Sequence, residues 1–309
     1  MKLSNIITEY LAYKRTLGMK FGVEGRMFSS FCRLVGDVKM DSITTKQIQL
    51  FLNGHTPISS FWKRKYTAIS GLYRFALSRK YVSTLPLPNY HPQFPPPLVP
   101  YIYSHEELKR LLDNTPLACG QNTLIDAFVF RALILILYGA CLRHGEALRL
   151  TIKDVDLECG VLYIQETKFY KKRIVPLGED LNKALKKYAL KRNKIYCNET
   201  TSPFFCSRNN QKLSQSAVWS AFRRLRIQAN IQRNDNLIYQ PRLHDLRHTG
   251  VVHRLIAWYR NGADLNFLLP QLSTYLGHVD LESTKHYLTL TPELLREASL
   301  RFEHFAKEK

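Results

Sequence analysis

Residues 241–255, PRLHDLRHTGVVHRL, place His244, Arg247 and His248 within five positions of one another on a segment backed by Leu and Val. Two imidazoles and a guanidinium held this closely are well suited to gripping an anion. Taken alone, an HxxR tetrad is weak, because chance supplies it often and a helix-start pair satisfied by the backbone explains it as well. Order and spacing along the rest of the chain carry more weight. CLRHGEALRL sets Arg143 at the end of an apolar run, three residues before Glu146, and ETKFYKKRIVPL supplies Lys168 between two β-rich runs. YLGHVD supplies His278, and nine residues later STKHYLTL supplies Tyr287.

The chain around these motifs has 309 residues, enough for two domains or one large one with a sizeable buried core. Its 45% apolar and 12% aromatic content is that of a globular protein. Forty-five Lys and Arg against 25 Asp and Glu give a formal charge of +20, which favours a polyanionic partner, with nucleic acid the first expectation. The charge is uneven: residues 1–90 carry 14 basic and 4 acidic residues, while 101–309 carry 31 and 21. The six cysteines show no CxxC spacing, so they read as reduced core residues of a cytosolic protein, with no zinc or other metal site. No phosphate-binding GxxxxGK[ST] loop is present, and the paired aspartates of DVDLE, 154–158, read as a solvated turn. The longest apolar run, ALILILYGACL at 132–142, is too short to span a bilayer and reads as part of a buried helix over 124–142. The amino terminus lacks the pattern of a secretory signal. The expected location is therefore cytoplasmic and nucleoid-associated, with no membrane partner.

YHPQFPPPLVPY, 90–101, holds five of the fourteen prolines and reads as an extended linker. The expected organisation is a helical domain over 1–90, a linker over 91–100 and a second domain over 101–309. Helical periodicity predicts about four helices in the first domain. One of them, FWKRKYTAISGLYR, interleaves Lys63, Arg64, Lys65 and Arg74 with aromatics and suits one face on a core and another on phosphates. In the second domain, Ser104 and Glu107 form a capping-box signature, and GVLYIQETKFYKKRIVPL reads as a hairpin. Helices are expected near 179–196, 214–229, 243–260 and 292–305, with shorter ones near 270 and 283. The lysines of KALKKYALKRNK read as a solvated face.

The ordered set of Arg143, Lys168, His244, Arg247, His278 and Tyr287 resembles the tyrosine recombinases, also called the phage integrase family, across 101–309 and less specifically across the basic helical domain before it. Residues 269–295 look most like the transposon-associated members. The resemblance implies a mainly α fold, with an amino-terminal helical (SAM-like) core-binding domain and an α+β catalytic domain containing a small antiparallel sheet. It implies a site-specific recombinase that cleaves and rejoins DNA through a 3′-phosphotyrosyl intermediate with no cofactor. The interval from Arg247 to His278 is several residues longer than in many members.

Carried onto this sequence, the two catalytic arginines fall on Arg143 and Arg247, the hairpin lysine on Lys168, the histidines on His244 and His278, and the nucleophile on Tyr287. Glu146 falls on a supporting acidic position, and His248 is expected to turn inward and orient its neighbours. The chemistry has reasons. A phosphodiester becoming five-coordinate needs its non-bridging oxygens stabilised, and guanidiniums do this without losing charge. His278 would donate to a non-bridging oxygen, His244 would exchange a proton with Tyr287, and Lys168 would protonate the 5′-leaving oxygen. Lys171 and Lys172 compete for that last role. Double-stranded DNA is the expected partner, with accessory recombination proteins as further ones. The amphipathic segment TPELLREASLRFEHF is expected to join four protomers on DNA. The alternatives are relaxation of DNA in the manner of a type IB topoisomerase and a non-catalytic DNA-binding regulator on the same fold.

Overall fold

The computed structural model describes the chain apart from residues 55–57, 90–91, 95–97, 121–122, 166–171, 236, 238, 279, 281, 291 and 308–309; for 301 and 304–307 the side chains are not described. The chain divides into two compact units, Met1–Pro97 and Leu98–Lys309.

The first unit is built from α1 (Leu3–Thr16), α2 (Gly22–Val35), α3 (Thr45–Asn53) and α4 (Ser60–Ser78). Thr44 opens α3 with a reciprocal capping box to Gln47, which satisfies donors that the first turn would otherwise leave bare. Leu3, Ile6, Phe28, Phe31, Ile48, Ile69 and Leu72 recur at helical spacing and meet in one core. Part of the proline-rich segment belongs to this unit, because Phe94 packs on that core with its ring 5.9 Å from Trp62.

The second unit opens with α5 (His105–Asp113), whose Ser104–Glu107 capping box is formed, and α6 (Thr115–Ala118). The apolar run becomes α7 (Ala127–Gly139), shorter at both ends than 124–142, with Val129, Phe130, Leu133, Ile136 and Leu137 buried at the centre of the core. No helix among the described residues is long and apolar enough to cross a membrane. After α8 (His144–Ala147), β1 (Val155–Asp156), β2 (Val161–Ile164) and β3 (Arg173–Pro176) form a three-stranded antiparallel sheet in sequence order. The hairpin expected from sequence thus has a third strand. Part of DVDLE supplies it: Asp154 is buried with its carboxylate accepting from the Thr151 N–H at 3.0 Å and so departs from the solvated-turn reading, whereas Asp156 fits it, accepting from the Cys159 N–H at 2.9 Å across an exposed turn. Leu162, Ile164 and Val175 turn to the core, and Arg173 lies opposite Ile164 on the same face.

The remaining helices are α9 (Glu179–Ile195), α10 (Gln215–Gln228), α11 (Asp245–Arg260), α12 (Leu265–Leu276), α13 (Glu282–Lys285) and α14 (Pro292–Lys307). The element expected to be short near 270 runs for 12 residues, passing through Pro270. Lys183 pairs with Glu179 and Lys186 with Glu158, as suits a solvated face, but Arg192 on the same helix is fully buried, donating to the Phe204 and Pro203 carbonyls. All six cysteines are free; Cys119, Cys141 and Cys206 are buried and Cys159 is exposed.

Helix α11 lies against α7 at Gly250, where an added Cβ would come 2.2 Å from the Tyr138 carbonyl oxygen and 2.8 Å from Cys141 Sγ. Backbone meets backbone there, so nothing soft can give way. Gly250→Ala is expected to lower the unfolding free energy by about 1–3 kcal/mol, the cost of overpacking, read as a lower urea midpoint with an unchanged m-value.

Candidate active site

The site forms around the carboxyl end of α12. Gly277 adopts the left-handed conformation (φ 66°), so the helix closes with the His278 N–H bonding to the Ser273 carbonyl and the Gly277 N–H to the Thr274 carbonyl. The next three carbonyls take arginines. Arg173 Nε donates to Tyr275 O at 3.0 Å, Arg247 Nη2 to Leu276 O at 2.9 Å, and Arg143 Nη2 to Gly277 O at 3.0 Å. These three side chains come from β3, α11 and the loop before α8, so one helix end collects elements far apart in sequence. The negative pole of the helix favours cations there.

Glu146 is the anion beneath the arginines. It is 4% exposed; Oε1 accepts from Arg143 Nη1 at 2.9 Å and Arg173 Nη1 at 3.0 Å, and Oε2 accepts from the Arg143 N–H at 3.0 Å and Arg173 Nη2 at 2.8 Å. Burial pushes this carboxyl up, but the Arg173 fork and the Arg143 contacts overcome it and lower the pKa to about 2. Arg247 Nη1 lies 4.0 Å from the same carboxylate. Three guanidiniums over one carboxylate leave the cluster with a surplus of positive charge. The Arg143 side chain keeps 38% exposure and offers that surplus to solvent, whereas Arg247 is 2% exposed.

Arg247 is fixed from several sides. Its Nη1 donates to the Cys141 carbonyl at 2.7 Å, and Cys141 holds a left-handed φ of 49° as it does so. Such a backbone costs a side-chain-bearing residue about 1 kcal/mol. Nη2 also faces His278 Nε2 at 3.2 Å, while His278 Nδ1 meets the buried Thr284 hydroxyl at 2.7 Å. An arginine can only donate, so Nε2 is the acceptor, and the Nδ1 proton goes to Thr284. Burial, then Arg247 and Arg143, lower the His278 pKa to about 4.

Tyr287 stands in a 3₁₀ turn, His286–Thr289, directly after α13 and is 3% exposed. Burial raises its pKa, against the opposing pull of the Arg247 charge. Its ring lies parallel to His278 at 6.1 Å and 5.4 Å from His248. His248 in turn meets His244 edge-on at 4.8 Å, and His244 lies 6.1 Å from His144. A row of rings therefore runs from His278 through Tyr287, His248 and His244 to His144. Its outer end opens into a pocket of about 400 Å³ that Trp219, Arg223 and Arg242 help to line. Burial, followed by neighbouring cations and imidazoles, lowers His244 to about 3 and His248 to about 4. The Nδ1 atoms of both are buried without a hydrogen-bond partner. Asp245, fully buried, anchors the start of α11 by accepting from the Arg242 N–H and guanidinium, both at 2.8 Å.

Arg143, Glu146, His244, Arg247, His248, His278 and Tyr287 thus share one region of the second unit. Lys168 and Lys171 lie outside the described residues; Lys172 is exposed immediately before β3. The sequence reading passed over Arg173 and Thr284. Alternation along β3 could have flagged Arg173, since it shares a face with the buried Val175. In the first unit, Lys63 and Arg74 are exposed and Arg64 pairs with Glu24 at 3.0 Å. Lys65 departs from the expected phosphate-facing role: its Nζ donates to the Phe51 carbonyl at 2.7 Å and lies over the Phe51 ring, capping the end of α3. No group of three or more potential metal ligands occurs among the described residues.

Residues 103–293 match the phage integrase family. The y4rB integrase/recombinase of Sinorhizobium fredii is 32% identical, covering 96% of each chain, and the tyrosine recombinase XerC of Oceanobacillus iheyensis is 28% identical over 89% of this chain and 86% of its own. The solved structure of the Tn1549 transposon integrase with transposon right end DNA superposes with a TM-score of 0.69 over 99% of this chain and 100% of that one, at 15% identity. The chain belongs to the phage integrase family, the tyrosine recombinases. It is a site-specific integrase/recombinase, an enzyme that breaks and rejoins DNA.

The lowered imidazoles have a measurable consequence. Between an unfolded histidine's ordinary pKa of 6.5 and the folded values of about 3 to 4, the unfolded chain binds protons that the folded chain excludes. The stability this contributes is complete above about pH 6.5 and is lost as pH falls toward 4. Urea midpoints should therefore fall on acidification from pH 7 to 5, while imidazole NMR signals of His244, His248 and His278 stay in their neutral positions down to pH 5.

Proposed function

We propose that Tyr287 attacks a DNA phosphodiester bound over Arg143 and Arg247, forming a 3′-phosphotyrosyl bond and releasing a 5′-hydroxyl. The observation that carries this reading is the cluster of three arginines on one helix end, with a surplus of positive charge and the Tyr287 ring packed beside His278 and His248. A phosphate arriving there would meet donors already oriented, the condition under which they stabilise a charged transition state.

The histidines are neutral at rest because they are buried and because the cations and imidazoles beside them add to that effect. A bound phosphate supplies the missing negative charge and raises their pKa values toward the range where protons move at neutral pH. His278 then donates to a non-bridging oxygen in place of its present acceptor role. His244 was expected from sequence to exchange the proton of Tyr287. The ring row makes His248 the imidazole in contact with both His244 and Tyr287, so the pair serves that exchange together. Protonation of the leaving oxygen goes to Lys168. Covalent retention of the phosphate lets a second 5′-hydroxyl reseal DNA with no cofactor.

Double-stranded DNA is the partner, with the basic helical unit over 1–90 acting as a second binding region through Lys63, Arg64 and Arg74, and Lys171 and Lys172 adding phosphate contacts. A homotetramer on DNA is supported by α14: Leu294 is buried on its own unit while Leu295 and Phe302, seven residues apart on one face, stand exposed. Similarity to a transposon integrase and to a bacterial integrase/recombinase supports a role in mobile-element integration, excision or transposition.

On a nicked suicide substrate the unmodified chain should accumulate a covalent protein–DNA adduct, and Tyr287→Phe should form none while retaining DNA binding within about threefold. An adduct from Tyr287→Phe, or none from the unmodified chain, would reject this mechanism. Arg247→Ala should slow adduct formation by on the order of 100-fold or more, the scale of losing an oriented donor.

A further inference from the structure

We propose that Arg173 is a positioning residue for the recombination chemistry, acting through Glu146 to leave Arg143 free for phosphate. The inference rests on the reading of Arg143 as a phosphate ligand and adds a residue that this reading does not use.

The argument starts from the capacity of a carboxylate. Two oxygens offer about four lone-pair positions. All are taken on Glu146: Arg173 fills one on each oxygen through its fork, and Arg143 fills the other two with its backbone N–H and one Nη1 hydrogen. The guanidinium of Arg143 therefore gives one nitrogen to Glu146 and one to the Gly277 carbonyl, and its remaining donors face the exposed side. Arg173 itself has no comparable freedom. Its side chain is 9% exposed, and its Nε is fixed on the Tyr275 carbonyl at 3.0 Å. An added Cβ at Gly277 would come 2.8 Å from its Nη1, so the backbone at 277 closes over it.

Without Arg173, two acceptor positions on a buried carboxylate stand empty beside Arg143. A buried anion lacking its partner draws the nearest cation, and Arg143, with Nη1 already 2.9 Å from Oε1, is closer than Arg247 at 4.0 Å, whose guanidinium is held on backbone carbonyls. Glu146 then competes with the scissile phosphate for the same N–H groups. Arg173 prevents this by saturating Glu146 from the buried side. Its charge alone is not enough, because a lysine in its place offers no planar fork to occupy both oxygens.

Single-turnover cleavage at saturating DNA tests the assignment with the full chain, on a suicide substrate carrying either a normal phosphate or a methylphosphonate at the scissile position. The methylphosphonate has no negative charge for Arg143 to neutralise, so a fault in aiming Arg143 should matter less on it. Arg173→Ala is expected to bind DNA within about threefold of the unmodified chain and to cleave the phosphate substrate on the order of 100-fold more slowly, as a misplaced group does. On the methylphosphonate the gap should narrow to about threefold. Arg173→Lys should show the same narrowing with a smaller initial deficit, and it carries the comparison should the alanine variant fold poorly. Wild-type cleavage by both variants, an equal deficit on both substrates, or a loss matched by the fall in folded fraction overturns the proposal. Failure of the unmodified chain to form an adduct at Tyr287 would instead reject the mechanism on which the proposal rests, so the two failures are distinguishable.

Discussion

The carboxyl end of α12 is the constraint on which the site depends. A helix end leaves carbonyls without partners, and burying them uncompensated is costly. Gly277 resolves two of them by reversing the chain in the left-handed region, and Arg173, Arg247 and Arg143 take the three that follow. Each arginine arrives from a different element, so satisfying the helix end and assembling the anion site are the same event. The close approach of α11 to α7 at Gly250 serves this arrangement, because it brings Arg247 within reach of the Cys141 carbonyl as well.

Concentrating three guanidiniums has an electrostatic cost that one buried carboxylate and a set of backbone dipoles only partly offset. The uncompensated remainder is the functional quantity. It adds to burial, the larger cause, in depressing the imidazoles of His278, His248 and His244, and its Arg247 component opposes the effect of burial on Tyr287. A phosphodiester supplies the charge that the resting site lacks. Recognition of the backbone and readiness of the acid–base groups are then coupled through one field, without a metal ion or an external energy source in the proposed chemistry.

Much of the architecture was legible beforehand. Helical periodicity located the helices of both units, the Ser104–Glu107 spacing marked a capping box that forms, and the β-rich runs on either side of the lysines paired as strands. Local rules fail where a residue's partner is remote. Asp154 looked like a turn aspartate until its carboxylate closed on Thr151, and Lys65 looked like a phosphate contact until it reached the end of α3. Arg192, one basic residue among several on α9, is buried because backbone carbonyls of 203 and 204 come to meet it.

By itself the sequence determined the class of chemistry: an ordered series of arginine, histidine and tyrosine residues, a basic surplus that is denser in residues 1–90 than in the rest, and the pattern of elements. Those properties follow from side-chain type and short-range spacing, which need no third dimension. Only the tertiary structure decided which basic residues act on an anion and which hold the framework. Arg143 and Arg173 are alike in composition and both touch Glu146, yet one keeps an exposed edge and the other is enclosed by Gly277 and the Tyr275 carbonyl. The difference lies in what surrounds each guanidinium, and those surroundings come from helices more than 100 residues away in the chain.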